Sequence, residues 1–221
     1  MAVMTLVYLV QHAEKEHIAG DPGISSNGVS QAHLTGCWLR KAGIAAIYSS
    51  PLRRAHETAD CIAAETGLHV AVDVRLRERV NWDVGTPAHE FCAQWTRSTM
   101  DRDYVPASGE SSRQAGDRLC DFLLWLPAAP APVGVVTHGG VTVDVLRTLL
   151  PDALLPAALL EEGVPPCAVT TIDGLKVLAI ADTRHLASRP RPARRHNALL
   201  PLVTDRAGGQ LVRGDPNVPS P

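Results

Sequence analysis

Two histidines at the ends of apolar runs are the first residues of this chain that suggest chemistry. His12 lies just beyond the run 5–10, and His138 directly follows the run 133–137. Neither run alternates with polar residues, which is typical of strands that are buried on both faces in a parallel sheet. Because open parallel sheets bind ligands at the carboxyl ends of their strands, we expect both imidazoles to reach one crevice.

An arginine at the start of a predicted helix points to an anion. Ser50 and Pro51 suit the N-cap and the first helical position, so Arg54 falls in the first turn. The helix dipole already makes this end positive, so the Arg54 charge is unfavourable there. A bound anion would compensate both positive charges. Arg53 can instead pair with Glu57 four residues later, so we assign Arg53 to an ordinary surface ion pair.

The elements that must position these residues alternate between strand and helix. Helical patterns cover 26–42, 111–126 and 141–150, and a further helix runs from Ser50 to Gly67. Strand patterns cover 5–10, 44–48, 70–74 and 133–137, and 167–171 with 175–181 suit a hairpin around an Asp-Gly turn. This order predicts an α/β fold, a three-layer αβα sandwich with a mostly parallel central sheet of five or six strands.

Glycine and small apolar residues are expected to define the helices and the core. Gly43 and Gly67 lie where left-handed residues end helices. The first helix is predicted to bury a stripe of apolar residues: Val29, Ala32, Leu34, Cys37 and Leu39. Aromatic residues make up only 4% of the chain, so the core must consist mainly of Ala, Val and Leu.

Composition and charge divide the 221 residues into a body and a tail. The chain is 45% hydrophobic and 20% charged, as in soluble globular proteins. We predict one catalytic domain over 1–187 and a Pro/Arg-rich tail over 188–221. Residues 184–221 hold seven Arg and two Asp, so with an overall charge of −2 the remaining body carries −7. An acidic body is unsuited to nucleic acid, and we interpret the basic tail as a solvated terminus.

The start of the chain and its cysteines favour a cytoplasmic protein. The first apolar run stops at Gln11 without a basic segment before it, so neither a signal peptide nor a membrane span is predicted. Five widely spaced cysteines form no C-x-x-C pair, so we expect reduced packing residues and no metal site. They are Cys37, Cys61, Cys92, Cys120 and Cys167.

Several motifs, in order along the chain, resemble the histidine phosphatase superfamily, also called phosphoglycerate mutase-like. They are LVQHAE, SSPLRRAHETA, LRER, SGES, VVTHGG and DTRHL, and they span roughly residues 5–186. The resemblance implies that His12 is the nucleophile that becomes phosphohistidine, and that His138 is a second pocket histidine. It makes Arg54 a phosphate clamp and Gly139 a further phosphate contact. Glu78 would be the general acid that protonates the leaving oxygen and then activates water.

The chemistry of phosphoryl transfer sets conditions on these residues. Charge spreads over the equatorial oxygens, so arginine, histidine and backbone N–H groups stabilise the transition state, and neither a metal nor a cofactor is required. His12 must be neutral at its attacking nitrogen, whereas His138 serves as a cation or a hydrogen-bond donor. Glu78 must hold a proton near neutral pH, for which we expect a partly buried, carboxylate-rich setting.

One position departs from the family pattern. The family usually has Arg directly before the nucleophile, and here Gln11 can donate a hydrogen bond but carries no charge. Loss of one charged donor costs about 2.7 to 4 kcal/mol in such sites. Lys15 could supply the missing charge, or it could be a solvated surface lysine.

These observations predict a metal-independent phosphatase that acts on a small phosphomonoester through phospho-His12. A mutase is the alternative, although the residues after Glu14 are not the Ser, Trp and Asn of the glycolytic mutases. Because of Gln11, a phospholigand-binding protein without turnover also stays open. The insertion 80–106 either covers the pocket and sets specificity or anchors a helical excursion through Trp82 and Trp95. The sequence does not define the oligomeric state.

Overall fold

A six-stranded sheet organises the residues that this computed structural model describes, 5–127 and 131–187. Its strands are β1 (Leu6–Gln11), β2 (Ala46–Ser49), β3 (Val70–Val72), β4 (Val133–Thr137), β5 (Val169–Asp173) and β6 (Lys176–Asp182). Their spatial order is β3-β2-β4-β1-β5-β6. The first four are parallel, and β5 and β6 are antiparallel to their neighbours. The predicted α/β fold with a mostly parallel sheet is confirmed.

Helices cover both faces of this sheet. They are α1 (Ser26–Ala42), α2 (Arg53–Thr66), α3 (Ala88–Met100), α4 (Ser112–Trp125), α5 (Gly139–Leu149) and α6 (Ala157–Glu162). Neighbouring residues of β4 point to opposite faces, so Val135 packs in the cluster of α4 and α5, whereas Val136 packs in that of α1 and α2. Two cores on one sheet give the three-layer arrangement, and aliphatic side chains dominate both.

Several helix ends follow the residues that predicted them. Gly43 and Gly67 end α1 and α2 with φ of 72° and 75°, in the left-handed region that favours glycine. Ser111 begins α4 with a capping box in which it and Gln114 exchange hydrogen bonds. Helix α5 begins two residues earlier than predicted, at Gly139, so its first turn directly follows His138.

The predicted start of α2 is wrong. Leu52 is the N-cap, and the helix begins at Arg53 rather than at Pro51. The Ser50 hydroxyl accepts a hydrogen bond from the Leu52 N–H at 3.2 Å and also contacts His138. Ser50 therefore stabilises the turn before the helix and also contacts His138. Rules based on neighbouring residues alone do not predict this second contact.

The predicted apolar stripe of α1 is also partly wrong. Ala32 and Leu39 are buried, but Val29 is 39% exposed, and the buried face includes Thr35 and Gly36. A Cβ on Gly36 would lie 2.9 Å from the Glu65 side chain of α2. Close packing between the two helices therefore selects small residues over large apolar ones.

Helix α3 occupies the insertion 80–106. The predicted tail, 188–221, lies outside the described residues, so its boundary with the catalytic domain stays a prediction. Within the described parts of the chain, no helix has the length and apolarity needed to cross a membrane.

Candidate active site

His12 lies at the end of β1 with its two ring nitrogens in different environments. Its Nδ1 is 2.7 Å from the carbonyl oxygen of Ala13, which can only accept, so Nδ1 carries the ring proton. The lone pair then lies on Nε2, which accepts a hydrogen bond from Arg54 Nε at 3.3 Å. Burial and the Arg54 charge lower the pKa of His12 to about 3. The imidazole is therefore neutral, as a nucleophile requires.

Arg54 reaches His12 from the first turn of α2. Its side chain is buried, and Nη1 donates to Asn81 Oδ1 at 3.2 Å. Asp21 lies 3.8 Å from the same nitrogen. The neighbouring Arg53 points outward and pairs with Glu57 at 2.7 Å, which confirms the predicted surface ion pair of Arg53.

His138 lies behind His12 at the end of β4. The two ring centroids are 5.3 Å apart, and His138 is fully buried. Its Nε2 is 2.7 Å from the Ser50 hydroxyl, whereas Nδ1 has no hydrogen-bond partner among the described residues. The Ser50 hydroxyl can donate to Nε2, and in that pairing the ring proton lies on Nδ1. Burial, together with Arg54, holds the pKa of His138 well below its usual range. His138 is thus suited to be a neutral donor and not a cation.

Glu78 binds the first turn of α5. Its carboxylate accepts from the backbone N–H groups of Arg79, Gly140 and Val141 at 2.9 to 3.0 Å. A Cβ on Gly140 would lie 2.4 Å from Glu78 Oε1, so only glycine permits this approach. N–H donors at the start of α5 surround the group, and the Asp144 carboxylate is close enough to interact with it electrostatically.

Gln11 and Gly139 lie side by side beneath the site. A Cβ on Gly139 would lie 3.5 Å from Gln11 Oε1, and this buried oxygen has no hydrogen-bond partner within the described parts of the chain. Neither residue lines the cavity above His12. The predicted contacts of Gln11 and Gly139 with phosphate therefore stay predictions.

Lys15 lies at the cavity rather than on open surface. Its ammonium contacts the Glu16 carbonyl at 3.4 Å, and the side chain is half-buried. Burial lowers the pKa of Lys15, and the nearby Arg54 charge lowers it further. Lys15 therefore adds positive charge on the Arg54 side of the cavity.

The cavity has a volume of about 360 Å³. We call four of its lining residues the polar set: His12, Lys15, Arg54 and Glu78. We call the rings of Trp82, Phe91 and Trp95 the aromatic wall. The structure thus brings four predicted site residues to one cavity, with His138 behind it.

A buried ion pair supports the junction of these two regions. Arg79 Nη1 contacts Asp144 Oδ1 at 2.7 Å, and Ser112 donates to the same oxygen at 2.6 Å. Burial raises the pKa of Asp144 to about 7. The Arg79 guanidinium lies 4.1 Å from the centre of the Trp95 ring, so it joins α5 to α3.

Sequence reasoning missed several of these supporting residues. Asn81 and Asp21 orient Arg54, and Ser50 orients His138. The Arg79–Asp144 pair joins positions 65 residues apart. No short motif marks such pairs, because folding alone brings their members together.

Comparisons with known proteins agree with this geometry. A family model described as histidine phosphatase superfamily (branch 1) matches residues 7–176. The chain is 32% identical to the probable phosphoglycerate mutase GpmB of Yersinia enterocolitica, over 83% of this chain and 95% of that protein. The chain belongs to the histidine phosphatase superfamily.

Solved structures of phosphatases share the fold. A mycobacterial glucosyl-3-phosphoglycerate phosphatase in complex with inorganic phosphate is 27% identical and has a TM-score of 0.61, covering 81% of this chain and 96% of that one. A phosphoserine phosphatase from Entamoeba histolytica in complex with 3-phosphoglyceric acid is 22% identical and has a TM-score of 0.63, covering 83% of this chain and all of that one. The second likeness bears on the fold alone.

Proposed function

We propose that the protein is a cytoplasmic, metal-independent phosphatase that hydrolyses a small phosphomonoester through a phosphohistidine on His12. The observation that carries the proposal is the state of that imidazole. Ala13 fixes its proton on Nδ1, and Arg54 directs a guanidinium N–H at the lone pair of Nε2. A neutral nucleophile beside a buried cation is what attack on an anionic phosphoryl group requires.

In the first step, His12 Nε2 attacks phosphorus and the bond to the ester oxygen breaks. Arg54 and Lys15 supply positive charge for the equatorial oxygens, and His138 supplies a hydrogen bond when its ring proton lies on Nδ1, which has no partner among the described residues. Protonated Glu78 donates its proton to the departing alcohol oxygen.

In the second step, Glu78 acts in the reverse direction. Its carboxylate takes a proton from a water molecule as the water oxygen attacks phosphorus and the P–Nε2 bond breaks. Phosphate leaves, and both His12 and Glu78 return to their starting states. The hydrogen bonds from the first turn of α5 hold the carboxylate in place for both transfers.

The test is hydrolysis of p-nitrophenyl phosphate in the presence of EDTA, together with trapping of the phosphoenzyme by an alkaline quench. The wild-type protein is expected to turn over and to yield an alkali-stable, acid-labile phosphoryl adduct. His12→Ala is expected to lose both, with a fall in kcat of at least about a thousandfold. His56→Ala, on the exposed side of α2, is the matched control. Activity that disappears with EDTA, or that survives in His12→Ala, would contradict the proposal.

A mutase is the second candidate because the Yersinia relatives are named probable phosphoglycerate mutases. Such an enzyme returns the phosphoryl group to another hydroxyl of its substrate instead of to water. Incubation with 3-phosphoglycerate distinguishes the two reactions, since hydrolysis releases inorganic phosphate and transfer yields 2-phosphoglycerate. If neither product forms and no phosphomonoester is hydrolysed, the binding role that Gln11 suggests is favoured.

A further inference from the structure

We infer that the site selects phosphomonoesters whose alcohol carries an aromatic or similarly bulky apolar group, and that it discriminates against a second anionic group on the alcohol. This inference rests on the proposed function, because it places the phosphate at His12 and Arg54. It concerns the part of the ligand that extends from the polar set to the aromatic wall.

The aromatic wall is a continuous apolar surface. Trp82 and Phe91 stack with ring centroids 5.9 Å apart and planes 20° apart, and Phe91 and Trp95 are 6.0 Å apart at 37°. The indole N–H of Trp82 donates to the Thr86 carbonyl at 2.7 Å, so its polar atom is already satisfied. All three rings are half-buried and line the cavity. Their remaining open surface therefore offers ring faces and edges to a ligand.

Other lining residues extend the apolar surface. Ile18 is 56% exposed and lines the cavity, so its aliphatic surface is open to a ligand. Val80 is buried and also lines the cavity. A cavity of about 360 Å³ lies within the range that encloses one small molecule.

The segment 80–106 places no charged side chain at the cavity, so it offers no cation to an anionic alcohol. Residues 80–106 contain four carboxylates and two arginines, so the segment carries −2. Arg97 lies over the Tyr104 ring, and Arg102 donates to the Arg147 carbonyl at 2.7 Å. Neither arginine lines the cavity.

The cations that do line the cavity belong to the phosphate. Lys15 and Arg54 interact electrostatically with each other and with His12. A carboxylate near the aromatic wall would lose its hydration without gaining an ion pair from α3, and burial of an unpaired charge is costly. An aromatic group at the same place would bury apolar surface and stack on the rings.

The direct test measures binding, so that it does not depend on turnover. Two non-hydrolysable probes, 2-phenylethylphosphonate and 3-phosphonopropionate, differ only in a distal phenyl group or carboxylate. Isothermal titration is expected to show about 10- to 100-fold tighter binding of the phenyl probe, as burial of one ring implies. Equal binding, or tighter binding of the carboxylate probe, would overturn the inference.

A kinetic test uses substrates with similar leaving groups. We expect kcat/KM for 2-phenylethyl phosphate to exceed that for ethyl phosphate by at least about tenfold, and that for phosphoserine by more. Phe91→Ala is expected to lower the ratio of phenylethyl to ethyl phosphate by about fivefold or more. Met100→Ala, a large exposed residue on the same helix that does not line the cavity, should leave the ratio unchanged.

A gain-of-function variant covers the case in which Phe91→Ala fails to fold. Thr96 is exposed and lines the cavity from α3, so Thr96→Arg places a cation there without removing core contacts. This variant is expected to raise kcat/KM for phosphoserine relative to 2-phenylethyl phosphate. An unchanged ratio would count against the charge argument.

The outcomes separate the two proposals. Preference for the phenyl probe without hydrolysis of any ester would remove the proposed function and retain the ligand class. Hydrolysis with equal preference for both probes would retain the phosphatase and remove the ligand class.

Discussion

The polar set and the aromatic wall are built in different ways. His12, Arg54 and Glu78 come from three distant stretches of the chain, and the sheet and the first turn of α5 fix their positions. Phe91 and Trp95 come from consecutive turns of one helix, and Trp82 lies just before it. Chemistry thus depends on long-range hydrogen bonds, whereas the surface for the alcohol depends on one local segment.

This difference indicates which part of the molecule can change freely. Movement of a strand end would displace both histidines, because the His12 N–H donates to the last residue of β4, Thr137, at 2.9 Å. A substitution in α3 alters one wall of the cavity and leaves the hydrogen bonds between β1 and β4 intact. We therefore expect reaction type and ligand preference to respond to separate mutations.

Arg54→Ala should break the polar set and produce the largest effect. Loss of a charged, preorganised donor is expected to lower kcat/KM by about 100- to 1000-fold for every ester, because the wall plays no part in it. The matched control is Arg53→Ala, whose side chain pairs with Glu57 in solvent. A loss of similar size in Arg53→Ala would indicate a general effect on α2.

Gly140→Ala should affect both regions at once. The new Cβ would lie 2.4 Å from Glu78 Oε1 and 2.6 Å from Trp95, so both side chains must move. Overpacking of this kind costs about 1 to 3 kcal/mol, which corresponds to a fall in kcat of about 5- to 150-fold if it acts on the transition state. Gly85→Ala is the control, since nothing lies within 4 Å of its added Cβ. Steady-state kinetics with a normal rate for Gly140→Ala would contradict the assigned role of Glu78.

Acid should lower the free energy of unfolding through the two buried histidines, His12 and His138. The pKa of His12 is lowered to about 3 and that of His138 is also lowered, so below about pH 6.5 the unfolded chain binds protons that the folded protein does not. The free energy of unfolding therefore falls as pH decreases, by up to about 1.4 kcal/mol per pH unit for each histidine. Asp144, whose pKa is raised to about 7, acts in the opposite direction.

Comparison of variants isolates the histidine contribution. His138→Gln is expected to reduce the pH dependence between pH 6.5 and 5 by about one proton, as measured by urea unfolding at each pH. Phe91→Ala, in the aromatic wall, should retain the wild-type dependence. Equal slopes for the wild-type protein and His138→Gln would argue against a neutral, buried imidazole.

Lys15→Ala should have the smallest effect. Its half-exposed ammonium adds charge near Arg54, so we expect kcat/KM to fall about two- to fivefold and the loss to shrink at high salt. Lys41→Ala, at the far end of α1, is the control. An unchanged rate would leave Lys15 as a solvated lysine that does not replace the usual arginine.

Local signals predicted much of the fold. Gly43, Gly67 and Ser111 act within a few residues of themselves, so the helix ends that they mark were predictable. The buried face of α1 was not, because the approach of α2 rather than hydrophobicity selects Thr35 and Gly36.

The site, too, was predictable only where local signals position its residues. Histidines at strand ends and Arg54 in a first turn follow from the order of the elements, and the structure brings them together. The N–H donors around Glu78 were not predictable, because they depend on where α5 begins relative to the turn that follows β3. The partners of Ser50 and Asn81 likewise depend on contacts between distant segments.

The carbonyl of Ala13 has a consequence for the product of the first step. This carbonyl oxygen accepts a hydrogen bond from the protonated Nδ1 of His12. Phosphorus can therefore bond only to the other ring nitrogen, Nε2. The covalent intermediate would therefore be the N3 isomer of phosphohistidine and not the N1 isomer. Antibodies that discriminate these two regioisomers would report directly on how one backbone oxygen orients the ring.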